Sequence, residues 1–198
     1  MTLSAPDWSG DTAVIVASGP SAKNARLCQA WGRARFLAVN ESWRLCPWAD
    51  ALYACDGAWW RKNCGVPAFK GVRLTYEAAA ARQFDLARVE IARGEHCILL
   101  DGDQVGDGGN SGFQALNLAI NWGAARVLLV GYDMSLAAGE HWHGRHPAGL
   151  NNPRQHNVRR WLSAEWSTPP GVEIVNCNPE SALNAYPKMS FEEACSRF

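Results

Sequence analysis

Apolar positions in this chain come in short blocks separated by polar turns, and the blocks differ in period. Residues 12–17 (TAVIVA), 35–39 (RFLAV), 50–54 (DALYA) and 126–130 (RVLLV) are short apolar runs with β-branched or aromatic members. Runs of that kind predict strands buried on both faces, as in parallel sheets. Residues 72–74, 96–100 and 172–175 read as further short strands. Helical composition fills residues 22–31, the alanine-rich stretch 77–92, residues 111–122, residues 153–166 and the terminal 191–198. The helix over 111–122 reads as amphipathic, and Pro153 suits a helical first turn. Strands alternating with helices predict an α/β fold. The expectation is a single doubly wound Rossmann-like domain over residues 1–198 with a mostly parallel sheet, residues 1–11 forming a loose lead-in.

Composition narrows the partners more than the fold. The 198 residues carry 19 basic and 19 acidic side chains, so no general positive field exists to hold a nucleic-acid backbone. Arg154, Arg159 and Arg160 form the one local basic patch. No basic segment leads into an apolar stretch at the start, and no run approaches 18 apolar residues. The expectation is therefore a cytoplasmic chain without a membrane span. Seven cysteines without a C-x-x-C pair suit a reducing compartment. Cys28, Cys97, Cys177 and Cys195 are expected to be buried thiols. Of the ten tryptophans, Trp8, Trp59, Trp60 and Trp142 fall near predicted loops or strand ends, where an indole can fill the core or stack on a planar ligand. Oligomeric state is left open, a homo-oligomer included.

The polar residues are informative by position. The predicted strands end in Ser18-Gly19, Asn40, Asp56, Asp101, Tyr132-Asp133 and Asn176. In a parallel sheet the carboxyl ends share one edge, where ligand crevices form. Ser18-Gly19-Pro20-Ser21 combines a glycine that permits close approach with a serine able to cap the next helix, and free amides there favour an anion. Asn110-Ser111-Gly112 is the analogous turn in the second half. The acidic, glycine-rich loop 101–109 before it departs from a calcium-loop pattern; Asp101 and Asp103 are its candidates for holding magnesium against phosphates. His141, His143 and His146 have the H-x-H-x-x-H spacing of some metal sites. Arg145, however, stands where the familiar two-zinc version has an aspartate, and a cation there suits a phosphate or carboxylate better than a metal. The histidines are accordingly read as candidate acid–base groups, with Arg145 beside them.

Taken together these residues resemble one broad superfamily. The shared features are the strand followed by S-G-P-S, then Asn40 and Asp56 at the next strand ends. Ser111-Gly112, Ala119, Gly123-Ala124, Val127, Leu129, Gly131 and Asp133 follow, and then Asn176, Asn178, Pro179 and Ser181. The superfamily includes the bacterial sialyltransferases of glycosyltransferase family 42 and the archaeal 6-hydroxymethylpterin diphosphokinase-like proteins. The chain is most similar to its phage and prophage members, over roughly residues 12–187. The resemblance implies a nucleotide in the crevice. Gly19, Pro20 and Ser21 would approach its phosphate or sugar, Asn40 and Asp56 would line the donor pocket, Ser111 and Gly112 would meet phosphate, and Asp133 would hold ribose or base. It also implies that a histidine of the late loop, His141 or His143, is a general base.

The leading expectation is a nucleotide-dependent transferase moving a sugar from a nucleotide-sugar to an acceptor hydroxyl. A magnesium-dependent diphosphokinase and a non-catalytic nucleotide-binding or sequestering phage protein are the alternatives.

Overall fold

A computed structural model describes residues 6–100, 102 and 104–197. In chain order its elements are β1 (Thr12–Val16), β2 (Arg35–Val39), β3 (Ala51–Tyr53), α1 (Gly57–Lys62), β4 (Val72–Thr75), α2 (Ala78–Phe84), β5 (Ala87–Arg88), β6 (Glu90–Ala92) and β7 (Gln104–Gly106). They continue with α3 (Ser111–Asn121), β8 (Arg126–Val130), α4 (Gln155–Leu162), β9 (Glu173–Asn176) and α5 (Phe191–Cys195). Seven strands form one sheet in the order β5-β4-β3-β2-β1-β8-β9, and every pairing in it is parallel. This is the Rossmann-like α/β architecture expected from the apolar runs.

The two-residue alternation along β1 shows why the sheet is covered twice. Ala13 and Ile15 point into one core with α3 and Trp8, while Val14 and Val16 point into a second with Trp59, Trp60 and Phe191. All four are fully buried. Such a strand has no solvent face, which is why it reads as a continuous apolar run. Trp8, Trp59 and Trp60 are thus core residues: Trp8 meets Trp122 edge-on at 4.6 Å, and the Trp60 indole donates to the Ala54 carbonyl.

Three expectations are corrected. Residues 22–31 form no α-helix but two 3-10 turns, Pro20–Asn24 and Leu27–Ala30, broken by extended backbone at Ala25. Packing wins there, since the two turns put Ala22, Leu27 and Ala30 into the core. Residues 96–100 make no strand of the central sheet. Instead the side chain of Asn117, on α3, accepts from the Leu99 amide at 2.9 Å and donates to the Leu99 carbonyl at 2.7 Å. The helical stretch of 77–92 ends at Asp85, which takes left-handed backbone, and β5 and β6 follow.

Helix α3 is also less amphipathic than its sequence suggests, because residues 111–120 are all buried. Its polar side chains are used internally. Gln114 accepts from the Tyr53 hydroxyl and donates to the Asp107 carbonyl, and Asn117 serves Leu99 and Gly106. Buried amides satisfied in this way fix the helix register. Among the cysteines, all free, Cys177 and Cys195 are buried as expected, Cys97 is half-buried and Cys28 is exposed. No described helix is long and apolar enough to cross a membrane.

Candidate functional site

From β1 the chain moves to β2 on one side, and β8 later returns to pair with β1 on the other. That reversal of direction opens a crevice beyond the strand carboxyl ends, the usual ligand position in open α/β sheets. Its volume is about 780 Å³. Three walls meet there: the ends of β1 and β8, the first turn of α3, and the segment 134–161.

The β1 turn is built around Asp133. The Gly19 amide continues the sheet by donating to the Gly131 carbonyl at 3.0 Å. A Cβ on Gly19 would stand 2.4 Å from that oxygen and closer still to the Asp133 carboxylate, so only glycine fits. Asp133 accepts from the Ser21 hydroxyl at 2.8 Å, from the Ser21 amide at 3.2 Å and from the Asn178 side chain at 3.2 Å. Burial outweighs these bonds and raises the Asp133 pKa above its ordinary value of 3.8. The amide expected to be free for an anion thus already holds one, the protein's own carboxylate. Only a single 3-10 turn follows Pro20, so the helix that Ser21 was expected to cap is absent here.

At the second turn, Asn110 caps α3 as its sequence suggests, accepting from the Phe113 amide at 2.9 Å. The amides of Ser111 and Gly112 have no partner within the helix or elsewhere among the described residues. The Ser111 hydroxyl donates to Cys55 Sγ at 2.9 Å, and burial pushes the Cys55 thiol up, keeping it protonated. Tyr132 is buried, its hydroxyl donating to the Gly112 carbonyl at 2.8 Å and locking β8 to α3. Asn40 lines the crevice in left-handed backbone, φ 51°, a conformation asparagine tolerates. Asp56 is not among the lining residues; its carboxylate caps α1 through the Ala58 amide.

The late loop is fastened to this frame before it reaches solvent. The Trp142 amide donates to the Ser18 carbonyl at 3.0 Å, and its indole donates to Ser42 Oγ at 3.1 Å. Gly144, at φ 85°, turns the chain back, and its amide donates to the His141 carbonyl. Asn152 then clamps His146, accepting from its amide at 2.7 Å and donating to its carbonyl at 3.2 Å. The rings of His141, His143 and His146 consequently converge, with centroids 4.5 to 4.9 Å apart. Burial, reinforced by the neighbouring imidazoles, pushes His141 down to about 4. His143 and His146 are lowered as well, burial again being the main cause. All three rings are neutral at pH 7. Arg145 leaves the cluster and pairs with Glu140 at 3.2 Å, its side chain 77% exposed.

Helix α4 completes the enclosure. Arg160 and the Trp161 indole both donate to the Gly109 carbonyl, at 3.0 and 2.9 Å, joining α4 to the loop before α3. Arg154 lines the crevice from the start of the same helix. Two of the three arginines of the local basic patch, Arg154 and Arg160, thus line the crevice.

The structure brings together Ser18, Gly19, Pro20, Asn40, Asn110, Ser111, Gly112, Tyr132, Asp133, His141 and Arg145. Ser21, Asp56 and His143 are not among the residues lining the crevice, although His143 packs directly behind its wall. Asp101 and Asp103, the magnesium candidates, lie outside the described residues. Sequence reasoning left out Cys55, Arg154, Arg160 and Trp161, and it did not place His146 in the site. A cationic helix directly after a histidine-rich loop was the available signal for the two arginines. Comparison of the chain with family models, with curated proteins and with solved structures returns no match.

Proposed function

We propose that the protein is a nucleotide-dependent transferase that moves a sugar from a nucleotide-sugar donor to an acceptor hydroxyl. The observation that carries the reading is the crevice at the β1/β8 reversal. There the unpartnered first-turn amides of α3 share the lining with Arg154 and Arg160. Backbone amides at a helix start and guanidinium groups together suit a phosphate or diphosphate. The bond between the anomeric carbon and the phosphate oxygen breaks, and its electron pair leaves on the phosphate, where those donors stabilise it. The acceptor oxygen bonds to the anomeric carbon and gives its proton to His141 or His146, the neutral imidazoles on the crevice wall. His143, set behind them, positions rather than touches.

Pyrophosphoryl transfer has less support, because the carboxylate of Asp133 is engaged by Ser21 and Asn178. The test is thermal unfolding with CMP, CDP, UDP, GDP and ATP and their sugar conjugates, with and without magnesium. A ligand at 100 times its Kd adds about 2.7 kcal/mol, a shift of roughly 5–10 °C for a chain of this size. No shift with any of them overturns the nucleotide reading. A shift without sugar release, unchanged when His141 and His146 are replaced by alanine, replaces the transferase with a binding protein.

A further inference from the structure

The three converging imidazoles carry an inference that does not depend on a nucleotide. We propose that His141, His143 and His146 form a binding site for one divalent transition-metal ion, of which Zn²⁺ is the natural occupant. One ring nitrogen from each residue lies within 4.8 Å of the other two. A tetrahedral zinc with Zn–N bonds of about 2.0–2.1 Å needs its donors roughly 3.4 Å apart. The donor atoms therefore need to close by about 1.4 Å at most.

Three further observations fit a cation. The Nε2 atoms of His141 and His143 are buried and have no hydrogen-bond partner in the described structure. Buried ring nitrogens left bare in this way cost free energy unless something fills the space between them. The scaffold is built without the ion, because Trp142 is bonded to Ser18 and Ser42 and His146 is clamped by Asn152. The backbone is thus set for ligation in advance. Finally, Glu41, Asp56 and Glu140 are carboxylates near enough for the cluster to feel their charge, two of them also paired with Arg44 and Arg145.

The sequence objection to a metal was Arg145, and the structure removes it. That guanidinium is exposed and paired with Glu140 instead of facing the rings. Three imidazoles with no carboxylate or thiolate among them select for Zn²⁺, Co²⁺, Ni²⁺ or Cu²⁺ over magnesium or calcium. His141 and His146 line the crevice, so the fourth position of the tetrahedron opens towards it. With the ion bound, the imidazole lone pairs are no longer free to accept a proton. The proton-accepting role given above to His141 or His146 then belongs to the metal-free protein, and that one consequence rests on the transferase reading.

The experiment uses the full chain, stripped with EDTA and titrated with Zn²⁺ and separately with Co²⁺, without nucleotide. One equivalent of zinc per chain is expected, together with the intense visible bands of tetrahedral Co²⁺ on nitrogen donors. His143→Ala should weaken binding at least 100-fold, beyond the 10- to 100-fold typical of losing an outer-shell partner. His96→Ala, an exposed control, should retain full stoichiometry. A stoichiometry near zero overturns the site. So does zinc binding that survives His143→Ala, or a Co²⁺ spectrum dominated by thiolate charge transfer, which would assign the metal to the exposed Cys28 and Cys64. Should His143→Ala fail to fold, the Co²⁺ spectrum of the unsubstituted chain decides alone.

Discussion

On the sheet-edge wall of the crevice, Ser21 and Asn178 both donate to Asp133, Tyr132 donates to Gly112, and Asn110 caps its own helix. On the facing wall, His141, with His143 behind it, keeps a bare ring nitrogen, and Arg154 reaches the crevice from an exposed position. The first wall is closed upon itself and the second is not. Polar residues at strand ends, which look like ligand contacts in a sequence, here mostly hold the frame together. The uncommitted donors and acceptors are the first-turn amides of α3 and the imidazole Nε2 atoms of His141 and His143.

Substitutions on the two walls should therefore differ in kind. The largest effect is expected for Gly19→Ala, whose added methyl group runs into the Gly131 backbone oxygen, an atom of the sheet that cannot step aside. A loss of at least about 3 kcal/mol is expected in urea unfolding. A stable Gly19→Ala protein would show that the frame is softer than described.

Asp133→Ala should follow, at about 2 kcal/mol, since it leaves the Ser21 and Asn178 donors without their acceptor. Asp133→Asn isolates the charge. The folded-state pKa lies above the unfolded one, so the native protein binds the proton more tightly between the two values. The stability contributed by this group is present in acid and is lost as pH rises from 3.8 through the raised pKa. Parallel unfolding curves should place the wild type most favourably against Asp133→Asn at the acid end, with the advantage shrinking towards neutrality. A difference that does not change with pH would mean that the carboxylate feels no burial.

On the open wall, Arg154→Ala should leave stability within about 0.5 kcal/mol while weakening nucleotide binding about tenfold, or about 1.4 kcal/mol by calorimetric titration. The reverse pattern, lost stability with binding intact, would erase the distinction between the walls. The smallest effect is expected for Asn152→Ala, which frees the His146 backbone at a cost of about 1 kcal/mol. Its sharper signature is a broadened or weakened Co²⁺ spectrum.

The frame was legible because its signals are local. The runs that become β1, β2 and β8 are apolar on both faces, and Asn110 reads as a cap from its place before an apolar helix. What escaped depends on partners distant in sequence. Asn117 looks like the polar face of a helix, yet its side chain stands in for a strand beside Leu99. Ser21 looks like a cap for the residues after it, but its partner is Asp133, 112 positions away. The histidine spacing was visible, while the convergence of the rings depends on the Gly144 turn and the Asn152 clamp, which no spacing encodes. Arg145 differs from these, since its partner Glu140 lies only five positions back in the chain.

Trp142 fastens the histidine loop to the end of β1, the same strand end that lies across the crevice from the first turn of α3. The loop that carries the imidazoles is thereby tied at Trp142 to the sheet whose β1 and β8 ends form another wall of the crevice. Under the proposed function, a molecule that touches the α3 amides at one end and the imidazoles at the other is selected first by its length.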